Sequence, residues 1–458
     1  MLKPYIEEII TDKTPYELFL NFSKEKEIMF LDSSLYHKKL GQYSFIAFEP
    51  FIKFRYKNKT AYINEEKKSG DCFELLEEIF IKYKSQQDEK LPFTGGGMGY
   101  FSYDLAREYF EIEDKTKELC EVFDCYYNFY DVIIAFDHEQ SKTYLSYIPV
   151  KSNSIEKFNA IKNKIAEMKK VDFDKGYSVN IVEKDKTDFK SMFSPEQYMD
   201  TVEKMKEYIR EGDIYIGNLT HTFSGYTKRT PLQIYNNLRR INPAPFSAFL
   251  GLAEYQILSS SPERFLQINN RRVTTRPIKG TVPRGKNQEE DKKYIEKLMN
   301  SEKDKSELLM VVDLERNDLS KVCKPKSVKV ESLFEIESYA TVHHLVAEIS
   351  AELEGKNTTL DCIKACFPGG SITGTPKYRT MQVIEELEKT KRNIYTGAIG
   401  YLGFDGNADL NITIRTILYK NGKLWMGVGG GITWESDREE EYKETLDKAK
   451  ALFNSINN

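Results

Sequence analysis

The chain is short of the features that mark several classes of protein. Its 458 residues hold no long apolar run, so no segment suits a membrane-spanning helix. The opening Met1-Leu2-Lys3-Pro4-Tyr5 lacks the pattern of a secretory leader. There are five histidines and two tryptophans. The six cysteines, Cys72, Cys120, Cys125, Cys323, Cys362 and Cys366, lack zinc-type pairing. Cys362 and Cys366 fall on one helical face and read as core thiols. Net charge is -4 and neither half is basic, so nothing invites nucleic acid. A reduced, soluble, cytoplasmic protein is expected.

What is present is an ordinary globular balance of 40% hydrophobic and 30% charged residues. Aromatics reach 13%, mostly Tyr and Phe, which points to β structure around a large core. The length suits about two to four domains, or one large one. Residues 1–150 alternate short aromatic strands with turns, for example Tyr43 to Phe48 and Asp131 to Phe136, with a glycine-rich turn from Pro92 to Tyr100. Residues 151–193 are Lys-rich and read as a helix plus linker, leaving 194–458 as the main domain. A helix starts at Ser194, with Pro195 first, Gln197 completing a capping box and Gly212 at its end. Two more run from Gln288 to Leu319, one from Thr359 to Cys366, one from Pro376 and one from Arg438 to Phe453. A strand is expected over Asn411 to Tyr419, then another over Lys423 to Val428 with a glycine turn after it. With no βαβ repeat, this is an α+β fold with antiparallel sheets.

Several segments could carry chemistry. Lys279 follows a strand-like approach in Arg276-Pro277-Ile278-Lys279-Gly280-Thr281, where Pro277 stiffens the chain and Gly280 admits a close neighbour. It is either a nucleophile or a solvated loop lysine. Gly369 and Gly374 have phosphate-loop spacing, but Thr375 and Pro376 replace the required Lys and Ser/Thr. What remains is a helix start, with Thr375 as cap and Pro376 first, that could face an anion. Gly427-Val428-Gly429-Gly430-Gly431 lacks the last glycine of a dinucleotide fingerprint; it suits close backbone approach to a small ligand, or a plain hairpin turn. Asp304 with Glu307, and Glu441 with Glu444, each share a helix face and could hold Mg²⁺. Glu444 and Lys448 equally fit a surface ion pair. Glu263 is a general-acid candidate or an Arg-paired turn residue. One of His343 and His344 should point inward. Arg415 interrupts an apolar alternation, and an inward arginine seeks a carboxylate, its own or a ligand's.

In order, Gly212 to Tyr215, Asn242 to Pro245, Ser261 to Phe265, Arg276 to Thr281, Asp313 to Leu319, Val342 to Leu345, Phe367 to Lys377, Tyr395 to Tyr401 and Glu441 to Lys448 resemble the chorismate-utilising enzymes. Gly95 to Asp104 also matches, and the resemblance spans nearly the whole chain. It implies two opposed antiparallel β-sheets in a sandwich flanked by helices, as in anthranilate synthase, with an N-terminal region that completes the sheets. It implies Mg²⁺ held by Glu307 and Glu441, with Glu444 and Asp304 alongside. Tyr395, Arg415, Gly429 and Lys448 become contacts to the substrate's carboxylates. Thr281, His344 and Ser371 line the ring pocket, and Glu263 protonates the departing C4 hydroxyl of chorismate.

Within this family, anthranilate-forming members carry Ala where Lys279 stands, and aminodeoxychorismate-forming members carry Lys. The resemblance therefore implies 4-amino-4-deoxychorismate synthesis, for 4-aminobenzoate and folate. Ammonia would come from a separate glutamine amidotransferase, since no Gly-x-Cys-x-Gly elbow is visible. No lyase domain is expected. Anthranilate synthesis, or a non-catalytic subunit that binds chorismate or tryptophan, are the rivals. Ile216 departs from the usual Gln, and from the Lys that water-adding relatives use as a base, so ammonia is favoured over water. Leu31-Asp32-Ser33 resembles a tryptophan-holding segment of some relatives, and equally reads as a strand end.

Overall fold

Alternating aromatic and aliphatic residues build two antiparallel sheets, each of twelve strands among the described residues. The computed structural model describes residues 1–36, 40–168, 187–339 and 342–457. The first sheet runs from the Tyr5–Ile9 strand through Met29–Asp32, Phe246–Gly251 and Gln256–Ser261 to Thr416–Lys420, Lys423–Ile432 and Ile216–Tyr226. The second runs from Ile278–Pro283 through Val342–Glu352, Arg272–Arg276, Arg264–Asn269, Ala408–Asn411 and Ala398–Gly403 to Gly96–Phe101 and the hairpin strands beyond it. Strands from before residue 150 and after residue 194 share both sheets. The expected linker is partly the Ser154–Glu167 helix, and residues 169–186 of it lie outside the described residues.

The sheets pack face to face over an aromatic core that draws Met29, Phe45 and Ile257 from the first and Tyr100, Tyr126 and Tyr401 from the second. Burying each such ring is worth about 2 kcal/mol. Tyr100 and Tyr255 join hydroxyls across the gap at 2.6 Å, so neither polar end is stranded. On the outer face of the first sheet, the Pro231–Ile241 and Arg438–Asn457 helices bury Leu238, Leu452 and Ile456. On that of the second, the Glu302–Ser320 and Thr359–Cys366 helices bury Leu308, Val312 and Ile363. The Pro195–Arg210 helix has the capping box foreseen at Ser194 and Gln197.

Three local expectations are overturned. The glycine-rich stretch at 92–100 is not all turn: Gly96–Phe101 is a wholly buried strand. A Cβ on Gly99 would stand 1.9 Å from the Tyr126 carbonyl oxygen, so glycine here permits strand contact instead of chain reversal. Gly427 to Gly431 likewise lies inside the Lys423–Ile432 strand, paired along the Ile216–Tyr226 strand, rather than in a turn. Asn411 to Tyr419 is two strands, because residues 412–415 carry the chain from the second sheet to the first. Arg415 takes φ 52° in that crossover.

Candidate active site

The crossover, the glycine strand and the free edge of the second sheet surround a cavity of about 590 Å³. It is lined by Glu263, Lys279, Thr281, Asp304, Glu307, His344, Ser371, Tyr395, Arg415, Gly429, Glu444 and Lys448. Of the site residues that the resemblance implies, only Glu441 stands outside this lining. Its carboxylate accepts from Ser436 Oγ at 2.7 Å and from Lys303 Nζ at 3.1 Å.

Lys279 belongs to the Ile278–Pro283 strand, not to a solvated loop, and its side chain is 12% exposed. The strand's register against Val342–Glu352 shifts between Lys279 and Thr281, at Gly280 with φ 74°. The close neighbour that Gly280 admits is Asp304: a Cβ there would stand 2.8 Å from its carboxyl carbon. Lys279 Nζ lies 3.8 Å from Glu307 Oε2. Both reach over Gly431, where a Cβ would meet them at 3.2 and 3.3 Å. The glycine run thus keeps the cavity floor clear, and a Cβ on Gly427 would collide with the Tyr395 ring at 2.2 Å. Ile216 puts an apolar methyl beside the same spot.

Glu263 is 5% exposed on the turn between two strands. It is not the Arg-paired turn residue, because Arg264 grips Asp409 through two contacts of 2.9 Å. Burial pushes the Glu263 carboxyl up, against the pull of Ser371, Lys279, the Ile278 N–H and Lys448. The Ile278 N–H donates to it at 3.4 Å. Ser371 Oγ faces that carboxyl, but makes no hydrogen bond of ordinary geometry among the described residues.

Both histidines are buried. His343 is held by Ser338 and Asp291, whereas His344 lines the cavity with its Nδ1 2.8 Å from Thr281 Oγ1. Burial, with the Arg415 charge beside it, holds His344 down to about 3, so it is neutral. The Arg415 guanidinium has no carboxylate partner among the described residues, and burial pulls its pKa down despite Tyr395 and Glu444. An enclosed cation with no carboxylate of its own among the described residues can receive a ligand's carboxylate.

Burial raises Glu307 despite Lys279 and Lys303. Partial desolvation pushes Glu444 up, but Lys448, 2.6 Å away, together with Lys303 and Lys279 holds the group low. Lys448 Nζ also donates to the Gly429 carbonyl at 2.9 Å. A Cβ on Gly430 would stand 3.0 Å from Glu441 Oε2 and 3.9 Å from Glu444 Oε1. Glu307, Glu441 and Glu444 therefore gather around two adjacent glycines as hard oxygen donors, the set that suits Mg²⁺. Among the described residues no three such groups are close enough to hold an ion as they stand, and each carboxylate is countered by a lysine.

Other expectations fall outside the cavity. Thr375 pairs with Ile216 as a strand residue, and Pro376 takes the position before the Lys377–Leu387 helix, so Thr375 is not its cap. Arg276, at the head of the Lys279 motif, gives its guanidinium to Glu337 and Glu348. Ser33 lies in a separate cavity of about 360 Å³, and the adjacent Asp32 is bound by Arg239 and Tyr235. Sequence reasoning missed Asn218, Lys303 and Asp447 in the lining. Asn218 was accessible, since it lies two residues past Ile216 on the same strand face. Lys303 and Asp447 gave no signal among so many helix-surface charges.

A cleft of lysines and carboxylates between two antiparallel sheets has the lining of a small-molecule site. The family model described as chorismate binding enzyme matches residues 26–454, and the chain belongs to that family. It is 37% identical to anthranilate synthase component 1 of Aquifex aeolicus (strain VF5) over 464 residues, covering 99% of this chain and 94% of the relative. It is 36% identical to aminodeoxychorismate synthase component 1 of Escherichia coli (strain K12), covering 93% of each. The structure of anthranilate synthase component I from Streptococcus pneumoniae TIGR4 matches with TM-score 0.81 at 31% identity, covering 92% of this chain and 94% of that one.

Proposed function

We propose that this chain converts chorismate and ammonia to 4-amino-4-deoxychorismate, with a glutamine amidotransferase subunit supplying the ammonia. The single observation that carries this reading is Lys279, a primary amine beside Glu307 in the cavity lining that also holds Arg415. Relatives bearing both product names lie at near-equal identity, so overall similarity does not choose between them.

In the proposed reaction the neutral Lys279 amine attacks C2 of the ring. The double bonds shift, and the C4 hydroxyl takes the Glu263 proton and departs as water. Ammonia then enters at C4, the double bonds shift back, and Lys279 is expelled. Arg415, Tyr395 and Lys448 orient the substrate's carboxylates, while neutral His344, Thr281 and Ser371 border the ring. Glu307, Glu441 and Glu444, with Asp304 nearby, would hold Mg²⁺, which when bound supplies positive charge to the ring carboxylate. Lys303 would have to leave Glu441 for that.

The test is incubation with chorismate, Mg²⁺ and ammonium, followed by aminodeoxychorismate lyase. The expected product is 4-aminobenzoate. Fluorescent anthranilate alone would replace this reading with anthranilate synthesis. Binding without turnover would favour a non-catalytic subunit.

A further inference from the structure

Alternate residues of the Ile216–Tyr226 strand put Ile216, Asn218 and Thr220 on one face. Each meets its surroundings differently. Ile216 is apolar and needs no partner. Thr220 is satisfied inside the protein, where its N–H and its Oγ1 each donate to Glu388 at 2.9 Å. Asn218 lines the cavity and is only 8% exposed, yet its buried Nδ2 has no hydrogen-bond partner among the described residues. The reaction above gives it no task.

The backbone at this amide is fixed from both sides. The Asn218 N–H donates to the Thr373 carbonyl at 2.7 Å. The Asn218 carbonyl accepts from Arg392 Nη2 at 2.6 Å. Arg392 is buried, paired with Glu388, and also donates to the Ile372 carbonyl at 2.8 Å. Asn218 is thereby locked to the turn that bears Ser371. What stays free is the end of its side chain, where a half-turn exchanges Oδ1 and Nδ2.

The strand register shows what the amide faces. Asn218 pairs with Gly431, and residues directly opposed on antiparallel strands point to the same side of the sheet. A Cβ on Gly431 would stand 3.2 Å from Lys279 Nζ. Directly opposed Cβ positions are about 5 Å apart. Asn218 therefore leaves its strand on the side, and at the level, where the Lys279 amine ends. A ligand carbon brought to that amine carries its neighbouring atoms to this amide. In chorismate, C2 has an oxygen substituent on one side, the enolpyruvyl ether on C3, and a carboxylate on the other, at C1.

We propose that Asn218 is a further substrate-binding residue, whose amide N–H donates to a chorismate oxygen next to C2 and so holds C2 at the Lys279 amine. This rests on chorismate being the substrate, as read above, but not on which product forms. A buried donor without an acceptor destabilises the protein, and an apolar side chain of the same size would avoid that. The substrate oxygen supplies the missing acceptor.

The test uses Asn218→Leu, of similar size without hydrogen-bonding atoms, and Asn218→Asp, of the same shape with acceptors alone. The quantity read is kcat/KM as chorismate loss with Mg²⁺ and ammonium. It should fall by about 10- to 100-fold in Asn218→Leu, mainly as a higher KM, and further in Asn218→Asp, whose charge repels the substrate's own. Ligand-free Asn218→Leu should melt at or above the wild-type temperature, because it removes an unpaired polar group. A purely structural asparagine would do the reverse: a lower melting temperature with KM unchanged would overturn the assignment. So would an unchanged kcat/KM in both variants. Wild type that forms only anthranilate, with both variants impaired, would replace the product reading and leave Asn218 in its role. Wild type that consumes no chorismate would sink both.

Discussion

Lys279 and Arg415 are enclosed basic side chains with different neighbours. Lys279 has Glu307 at 3.8 Å, close enough for attraction but beyond a hydrogen bond. Arg415 has no carboxylate of its own among the described residues. Lys279→Ala should reduce aminodeoxychorismate formation by at least about 100-fold, since a covalent route loses its nucleophile. Some anthranilate should appear, because ammonia is then free to attack C2. Chromatography of the products checks both, and an unchanged product at an unchanged rate would refute the covalent role. Arg415→Met should raise KM for chorismate by roughly tenfold to 100-fold through loss of a charge-assisted bond, while melting at or above the wild-type temperature because a desolvated charge is removed.

Elements, not single residues, set the spacing of the cavity. The Lys423–Ile432 strand can pass beneath Lys279 and Glu307 only because Gly431 has no side chain. Gly431→Ala should fold, since its Cβ meets the far ends of two flexible side chains, but it should lower kcat by about tenfold or more by displacing the amine. Steady-state kinetics with a circular-dichroism control decides this. Lys377 ties two other elements together. It sits at the start of the Lys377–Leu387 helix, buried, and donates to Asp318 and to the Cys366 and Pro368 carbonyls at 2.8 and 2.7 Å. It thereby pins the turn bearing Ser371 to the helix bearing Glu307. Lys377→Met would leave Asp318 uncompensated on that side and should cost about 3–5 kcal/mol in denaturant titration. A loss below 1 kcal/mol would mean that Lys321, which also pairs with Asp318, suffices.

Across the whole molecule, burial makes stability depend on pH. Burial pulls His221 down to about 4 and His344 down to about 3, against about 6.5 for an exposed histidine. Between those limits the unfolded chain binds protons that the folded chain refuses, so stability is full above about pH 6.5 and declines as pH falls. His221 lies outside the cavity, bonded to Ser191 and Thr445, and is the cleaner test. In His221→Gln the stability lost between pH 7 and pH 4.5 should be about 2 kcal/mol smaller than in wild type, by urea titration at each pH. An equal loss in both proteins would show that His221 titrates normally. Among the described residues, no helix is long and apolar enough to cross a membrane.

Local order alone determined a good deal. Ser194-Pro195 and Gln197 suffice to start a helix, because a capping box is satisfied within four residues. The strands around Tyr43 and Val132 were legible from alternation, and the absence of βαβ spacing already excluded a parallel sheet. The glycine runs were misread as turns because glycine signals both chain reversal and close approach, and only the neighbouring strand distinguishes them. Likewise, nothing in the sequence near Glu263 told an Arg-paired turn from a free acid; the partner of Arg264 is Asp409, 145 residues away. Charge pairing, burial and the crossover at 412–415 are relations between distant segments. Tertiary structure decided them because desolvation and hydrogen bonding act through space, whereas capping and alternation act along the chain.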